Sequence, residues 1–452
     1  MEELVRKQRE FYNSNQTKSV EFRKAALKRL SESIERNEAF IYNALKQDLN
    51  KSETESYLAE IQIVKTEIKT ALRHLNSWQR KKRVKTPITH FPAASYIYHD
   101  PYGVVLILSP WNYPFQLALA PLVGAVAAGN CVVLKVSKSS EHVSQIIRKI
   151  VDEAFEMNHV CCVDYQVDYE EILNQIYDFI FFTGSEAIGK KVMAAASKNV
   201  TPLVLELGGK SPCIIEKTAD IPLAAKRLAW GKYLNAGQTC VAPDYVLIDK
   251  SRKNEFVKEL QVQIKNMYGE ALQNEAYPKI INQHHYERLM ALIQAEPAKI
   301  GGRGREETGQ IEPTIFTDAS FEDEIMREEI FGPILPVISY SSLKEVLTLL
   351  KAKPRPLAFY LFSNNQRRIE AVLRYSEFGG GCVNDVIMHL ANHNLPFGGL
   401  GSSGMGNYHG VYSFDTFTHQ KAVLKSKVFL DVPLRYPPYT EKKLELVRKI
   451  TH

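Results

Sequence analysis

PYGVVLILSPWNYPFQLALAPLVGAVAAGNCVVL, residues 101–134, contains no charged side chain. It is long enough to span a bilayer, yet Pro110, Pro114, Pro121, Gly124, Gly129 and Asn130 interrupt it. The breaks divide it into a buried strand over 103–108, a loop, a helix over about 116–128, a Gly-Asn turn and a second buried strand over 131–136. Runs without a polar face are what a βαβ unit covered on both sides requires. The stretch predicts an α/β protein, not a membrane span.

The pattern continues on both flanks. Downstream, a helix over 141–158, a short strand near 160–167, a helix around 170–175 and a strand over 177–182 predict a parallel, doubly wound sheet. The last strand runs into Thr183-Gly184-Ser185-Glu186-Ala187-Ile188-Gly189-Lys190-Lys191 and a helix over 192–197. A glycine turn there offers N–H groups and a helix N-terminus to a phosphate. It nearly matches a P-loop, but Lys191 stands where Ser or Thr must hold magnesium, which sets an NTPase aside. Upstream, residues 1–79 read as helices, one over 19–49 with Leu27, Leu30, Ile34, Ile41 and Leu45 on one face, another over 57–78. The basic run 80–85 reads as a solvated hairpin edge, and 86–98, with two prolines, as an edge hairpin leaving the first domain.

From Leu205 strands and helices alternate again to about Gly381, predicting a second α/β domain. The glycine-rich stretch 395–406 cannot be regular structure, and long loops in compact domains are usually functional. Residues 416–430 read as a strand, followed by a stiff Arg435-Tyr436-Pro437-Pro438-Tyr439 linker and an amphipathic helix over 442–450.

Bulk properties exclude several classes. At 452 residues, 45% apolar and 24% charged, the chain has room for two or three soluble domains. A net charge of +6 over this length does not argue for nucleic acid. The six cysteines show neither CxxC nor zinc spacing, so reduced thiols of a cytosolic enzyme and no metal site are expected. The charged helical start predicts no signal peptide.

Two residues stand out chemically. Cys240 ends Asn235-Ala236-Gly237-Gln238-Thr239-Cys240, set among small and polar residues where a sulfur can be reached. Glu206 lies inside an apolar strand-like run, 202–207, where burial raises a carboxyl pKa toward neutrality and suits a general base. Each alone is bland, since a cysteine is commonly a small buried hydrophobe. Together they are the equipment of thioester chemistry.

These pieces, in this order, resemble the aldehyde dehydrogenase superfamily along essentially the whole chain. The motifs are Pro110-Trp111-Asn112-Tyr113-Pro114, Val133-Leu134-Lys135, Phe182-Thr183-Gly184-Ser185 with Gly189, Leu205-Glu206-Leu207-Gly208-Gly209-Lys210, Gly237-Gln238-Thr239-Cys240, Glu329-Ile330-Phe331-Gly332-Pro333 and Pro396-Phe397-Gly398-Gly399-Leu400-Gly401. Val241-Ala242-Pro243-Asp244-Tyr245 after the cysteine, Ser413-Phe414-Asp415-Thr416-Phe417 and the Arg-Tyr-Pro-Pro-Tyr tail are similar to the class 3 branch, the fatty and aromatic aldehyde dehydrogenases. The resemblance implies a Rossmann-like NAD(P)-binding domain (1–79 and 100–206), an α/β catalytic domain (207–395), a small β oligomerisation element (80–99 and 415–430) and a tail (431–452). It also implies a homodimer. Some relatives carry a C-terminal transmembrane anchor; no such segment is seen before His452, so a cytoplasmic protein is expected.

The implied activity is oxidation of a medium- or long-chain aliphatic or aromatic aldehyde to the acid. Cys240 would attack the carbonyl, with Asn112 and the Cys240 N–H as oxyanion donors. Glu206 would activate the water that hydrolyses the thioester. Lys135 would bind adenosine ribose, Gly184, Ser185 and Gly189 the diphosphate, Glu329 the nicotinamide ribose, and Phe331 would pack beside that ring. Tyr113 and the glycine-rich loop would line the entrance. His389 and His409 lie near the C-terminal motifs without an assigned role. One departure matters: relatives read Lys-Pro-Ser-Glu where this chain reads Lys135-Val136-Ser137-Lys138. Losing a glutamate that repels a 2′-phosphate, with Lys138 in its place, predicts that NADP⁺ serves at least as well as NAD⁺. Rival readings are a coenzyme-A-acylating dehydrogenase, against which the retained Glu206 argues, and a non-catalytic binding or structural protein on the same fold.

Overall fold

In the computed structural model, which describes residues 1–296 and 298–451, the uncharged stretch folds as β1 (Val104–Leu108), a helix (Pro114–Ala128) and β2 (Cys131–Lys135). Every residue of that helix is buried, which is why none is charged. Pro114 opens it at a position where no N–H is needed. Gly129, at φ 98°, closes it; a Cβ there would stand 2.9 Å from the Thr17 carbonyl oxygen.

Strands β3 (Val160–Cys162), β4 (Phe179–Thr183) and β5 (Leu203–Glu206) complete a parallel array in the order β5-β4-β1-β2-β3. The strand order reverses between β4 and β1, the place where open α/β sheets bind ligands beyond their carboxyl ends. The short strand Gly404–Met405, from the glycine-rich loop, adds antiparallel to β5 with Gly404 opposite Glu206. β3 stops earlier than the expected 160–167, because Asp164 turns the chain by accepting from the Gln166 N–H at 2.9 Å.

A second sheet holds β6 (Pro212–Ile215), β7 (Tyr245–Asp249), β8 (Thr314–Phe316), β9 (Ile334–Tyr340), β10 (Ala358–Phe362) and β11 (Gly380–Val383). They run parallel in the order β8-β9-β7-β6-β10-β11, with Lys299–Ile300 antiparallel on the outer edge of β8. A third, antiparallel sheet joins Lys82–Val84, Ala94–Pro101 and Thr418–Lys425. Three sheets of these kinds are the α/β architecture that the residue pattern predicts.

Several boundaries are corrected. The helix expected over 19–49 is two, Val20–Arg36 and Glu38–Leu49, broken at Asn37, whose side-chain amide bonds back to the Ser33 carbonyl at 2.9 Å. The supposed edge hairpin 86–98 supplies the middle strand of the third sheet; its prolines, Pro87 and Pro92, fall in the connection. The strand expected over 416–430 is Thr418–Lys425, preceded by the helix Val411–Thr416. The tail helix is Glu441–Thr451, and the tail's last residue, His452, lies outside the described residues. Among the described residues no helix is long and apolar enough to cross a membrane, and no His, Cys, Asp and Glu group could hold a metal.

Arg23 is fully buried and closes the far end of the helix Pro114–Ala128. Its guanidinium donates to the carbonyls of Ala127 (2.9 Å), Ala128 (3.4 Å) and Lys18 (2.5 Å) and to Gln79 Oε1 (2.7 Å). Burial draws its pKa down to about 10, so it stays charged at neutral pH. Replacing Arg23 by Met should lower stability by about 3 kcal/mol, because buried carbonyls lose a charged donor. A thermal midpoint several degrees below wild type, with unchanged KM in the folded enzyme, is the expected reading.

Candidate active site

The segment leading to Cys240 is held in a conformation its residues do not favour. Asn235 and Ala236 both have φ 51° and Gly237 has φ 75°, three successive left-handed residues after the helix Ile221–Tyr233. Left-handed backbone costs an L-residue about 1–2 kcal/mol, so surrounding bonds must enforce it. They do. The Asn235 N–H donates to Glu55 Oε1 at 2.9 Å, and Asn235 Nδ2 donates to the Asn112 carbonyl at 2.8 Å. Gln238 Nε2 donates to the carbonyls of Asn235 and Lys279, each at 3.0 Å, while its Oε1 accepts from the Ile281 N–H at 3.0 Å. Tyr113 OH and Thr239 Oγ1 are 2.7 Å apart, and Tyr360 OH donates to the Val241 carbonyl. Cys240 is left partly exposed between these anchors.

Asn112 follows β1 and is buried. Its Nδ2 donates to the Gln238 carbonyl at 3.0 Å, which leaves its second amide hydrogen for another acceptor. Tyr113 is not at an open entrance as expected: its ring is buried beneath the cysteine segment, with Lys51 Nζ 4.0 Å from its centre.

Glu206 ends β5, is 2% exposed, and neither carboxyl oxygen has a hydrogen-bond partner among the described residues. Burial pushes its pKa well above the usual carboxylate range. Thr183 stands opposite it in register, its hydroxyl also buried without a partner. Burial lifts the Cys240 thiol to about 12, helped by the charges of Glu329 and then Glu206, while the N–H groups of Cys240 and Val241 pull the other way. Both carboxyls therefore act on the sulfur, and at neutral pH the thiol is protonated.

Glu329 rises to about 8, first through burial and then through the charge of Asp244; the Gly209 N–H, Lys210 and Lys232 oppose the rise. Gly208 makes room for it, since a Cβ there would lie 2.1 Å from Glu329 Oε2. Lys210 Nζ bonds Asp244 Oδ2 (2.5 Å) and the carbonyls of Ile325 (3.0 Å) and Glu328 (2.8 Å), fixing the acidic loop. Phe331 holds a left-handed φ of 48° and meets Trp111 edge-on at 5.4 Å.

At the other end of the crevice, Lys135 ends β2, buried, its Nζ donating to the carbonyls of Val136 (2.9 Å) and Tyr165 (2.5 Å). Burial lowers its pKa, and the charge of nearby Lys138 adds to that. Lys138 itself is exposed in the turn that follows. Ser185 is the N-cap of the helix Glu186–Ser197 and makes no side-chain cap bond, leaving the first-turn N–H groups to face outward. Gly189 seats that helix on β5: a Cβ would come 2.7 Å from Leu207 Cδ2. At Gly184 a Cβ would meet the Phe182 ring at 2.6 Å. An uncapped helix N-terminus at the switch point, a lysine at a strand end and an unpartnered carboxyl fit a dinucleotide and a reacting carbonyl.

The two histidines lie elsewhere. His409 Nδ1 is 3.0 Å from Glu67 Oε1, both buried, tying the C-terminal loop to the helix Gln62–Trp78. His389 Nδ1 is 3.5 Å from Cys382 Sγ, and burial lowers its pKa to about 4. Residues that pattern reading missed are Lys51, Glu55 and Glu60, whose run of charge looks like a solvated helix start, and Tyr408, whose pKa is raised first by burial and then by the charges of Glu206 and Cys240.

A doubly wound sheet joined to a second parallel sheet, with a thiol and a buried carboxyl at their junction, defines a thiol-bearing oxidoreductase of the aldehyde-oxidising class. Residues 1–423 match the aldehyde dehydrogenase family model, and the chain belongs to that family. It is 44% identical over 436 residues to the 4,4'-diaponeurosporen-aldehyde dehydrogenase of Staphylococcus aureus, covering 96% of this chain and 95% of that protein. It is 41% identical to the dimeric NADP-preferring aldehyde dehydrogenase of Rattus norvegicus, covering 97% and 98%. The substrate-bound structure of Staphylococcus aureus AldH superimposes with a TM-score of 0.97 at 42% identity, over 100% of this chain and 99% of that one. The protein is an aldehyde dehydrogenase, oxidising aldehydes to carboxylic acids with NAD(P)⁺.

The left-handed segment supplies a test. A Cβ at Gly237 would lie 2.2 Å from the Gly332 carbonyl oxygen, so Gly237→Ala must displace the Cys240 loop or the Glu329 loop. A drop in kcat of at least about 100-fold is expected from misplacing the reacting groups, with the circular dichroism spectrum retained.

Proposed function

We propose that the oxidation runs through a thioester on Cys240, hydrolysed with Glu206 as general base. The observation that carries this is Glu206: buried, raised in pKa, without a partner on either oxygen, and electrostatically coupled to Cys240. The thiol loses its proton through water to ionised Glu206, which passes that proton on to solvent, and the sulfur attacks the aldehyde carbon. The developing oxyanion takes the free hydrogen of Asn112 Nδ2 and the Cys240 N–H, donors already fixed by the cysteine segment. When bound, the nicotinamide dinucleotide supplies the hydride acceptor. Glu206 then takes a proton from water, whose oxygen attacks the Cys240 thioester, releasing the acid and the thiolate.

Lys135 would hold the adenosine ribose, Gly184, Ser185 and Gly189 the diphosphate at the helix N-terminus, Glu329 the second ribose, with Phe331 beside the nicotinamide. Residues 1–79 and 100–206 would form the NAD(P)-binding domain, 207–395 the catalytic domain, and 80–99 with 415–430 the oligomerisation element of a cytoplasmic homodimer. The word "dimeric" in the rat relative's name supports the last of these. A long aliphatic or aromatic aldehyde is the proposed substrate, supported by the Staphylococcus aureus relative, whose name gives a 4,4'-diaponeurosporen-aldehyde.

Cys240→Ala should abolish formation of reduced cofactor. Glu206→Gln should give one burst per site and then stall as the thioester, with added coenzyme A failing to substitute for the base. Turnover that requires coenzyme A in the wild type would move the assignment to an acylating dehydrogenase. The base works ionised and burial raises its pKa, so hydrolysis should quicken as pH rises above the usual carboxylate range and become flat in Glu206→Gln. For cofactor choice, Lys138 lies exposed beside Lys135, where a positive charge favours a 2′-phosphate. Lys138→Glu should lower kcat/KM with NADP⁺ about 10-fold relative to NAD⁺, an effect that shrinks as salt rises.

A further inference from the structure

Lys51 and Glu60 are both fully buried and form an ion pair at 2.5 Å. Lys51 Nζ also donates to the Asn112 carbonyl at 3.0 Å. The other oxygen of Glu60 accepts from the Phe115 and Gln116 N–H groups, each at 3.0 Å, at the start of the helix that Asn112 and Tyr113 lead into. Glu55, from the same segment, holds the Asn235 N–H on the cysteine side. Glu60 itself lies in a π-type turn, Tyr57–Ile61, a feature in which an extra residue is taken into the helix and which is common at functional sites.

We infer that Lys51 and Glu60 are positioning residues for the reaction, setting Asn112 and the helix behind it so that the oxyanion donor stays in register with Cys240. The inference rests on the reading of Asn112 as that donor. Stability alone does not explain the pair. A buried ion pair is often no more stabilising than apolar residues of the same volume, because desolvation offsets the attraction. Placement is different: an error of about 1 Å in a reacting group costs about 100-fold in rate. Each ion of this pair spends its remaining hydrogen bonds on backbone next to Asn112, not on distant structure.

The test removes both charges together. Lys51→Met with Glu60→Gln preserves volume and an acceptor for the helix N–H groups, so the double variant should keep a thermal midpoint within a few degrees of wild type. Its kcat should fall about 10- to 100-fold for aldehyde oxidation. Hydrolysis of p-nitrophenyl acetate, which needs the same oxyanion donors but no hydride acceptor, should fall by a similar factor, while the cofactor KM stays within about twofold. Wild-type rates in the folded double variant overturn the inference. Asn112→Ala measured alongside separates the two readings. If it is slow while the double variant is not, only the positioning role fails; if it keeps wild-type rates in both assays, the oxyanion reading fails and takes the inference with it. Should the double variant not fold, Lys51→Arg keeps the charge but moves the donor, and an undiminished kcat there is equally fatal.

Discussion

A helix buried along its whole length has nowhere to send the polar groups at its ends. The helix Pro114–Ala128 is in that position, and the surrounding chain is arranged around supplying its missing partners. At the N-terminus Glu60 takes two N–H groups; at the C-terminus Arg23 takes two carbonyls, and Asn130 Nδ2 takes that of Ala125 at 3.2 Å. Charge signs follow the helix dipole, anion at the start and cation at the end. Neither ion could be buried unaided, so each brings its own partners, Lys51 for Glu60, and Gln79 with the Lys18 carbonyl for Arg23. Solving a packing problem in the first sheet thus delivers a rigid scaffold to Asn112, two residues before the helix begins.

The same logic governs the carboxyls around Cys240, with opposite outcome. Glu206 and Glu329 are carboxyls raised in pKa by burial, and both act on the sulfur of Cys240, itself lifted to about 12. Burial first, and then the charges of Glu329 and Glu206, keep the Cys240 thiol protonated at neutral pH. The resting thiol is therefore quiet, and its ionisation depends on what enters the crevice. Glu206 differs from Glu60 in one respect that separates function from scaffold. Every oxygen of Glu60 is engaged; neither of Glu206 is.

The βαβ core was legible because full burial erases charge; the strand end at Leu108 is as expected, while those at Lys135 and Thr183 fall one residue from the expected 136 and 182. Cys240 and Glu206 were legible because their neighbours are wrong for their chemistry, a thiol among polar residues and a carboxyl among apolar ones. Lys51, Glu55 and Glu60 were not, because Lys-Ser-Glu-Thr-Glu is the pattern of a solvated helix start, and only tertiary contact turns it inward. The place of Ala94–Pro101 in the third sheet was misjudged for a related reason. Its outer partner, Thr418–Lys425, comes from the far end of the chain, and a strand's neighbours cannot be read from its own residues.

The backbone itself records where precision is required. Of the nine non-glycine residues with positive φ among the described residues, Asn235, Ala236 and Phe331 lie on the two loops that meet at the thiol. Ala and Phe gain nothing locally from that conformation, so the energy that enforces it comes from outside the loops. On the cysteine side that source is Glu55 and Asn112; on the glutamate side it is Lys210, Asp244 and Arg288, whose Nη2 donates to the Ile330 carbonyl at 2.8 Å. Cys240 and Glu329 both lie on connections of the second sheet, and the first sheet's side of the crevice reaches them through Asn112 and Glu206, so the geometry around the thiol draws on both.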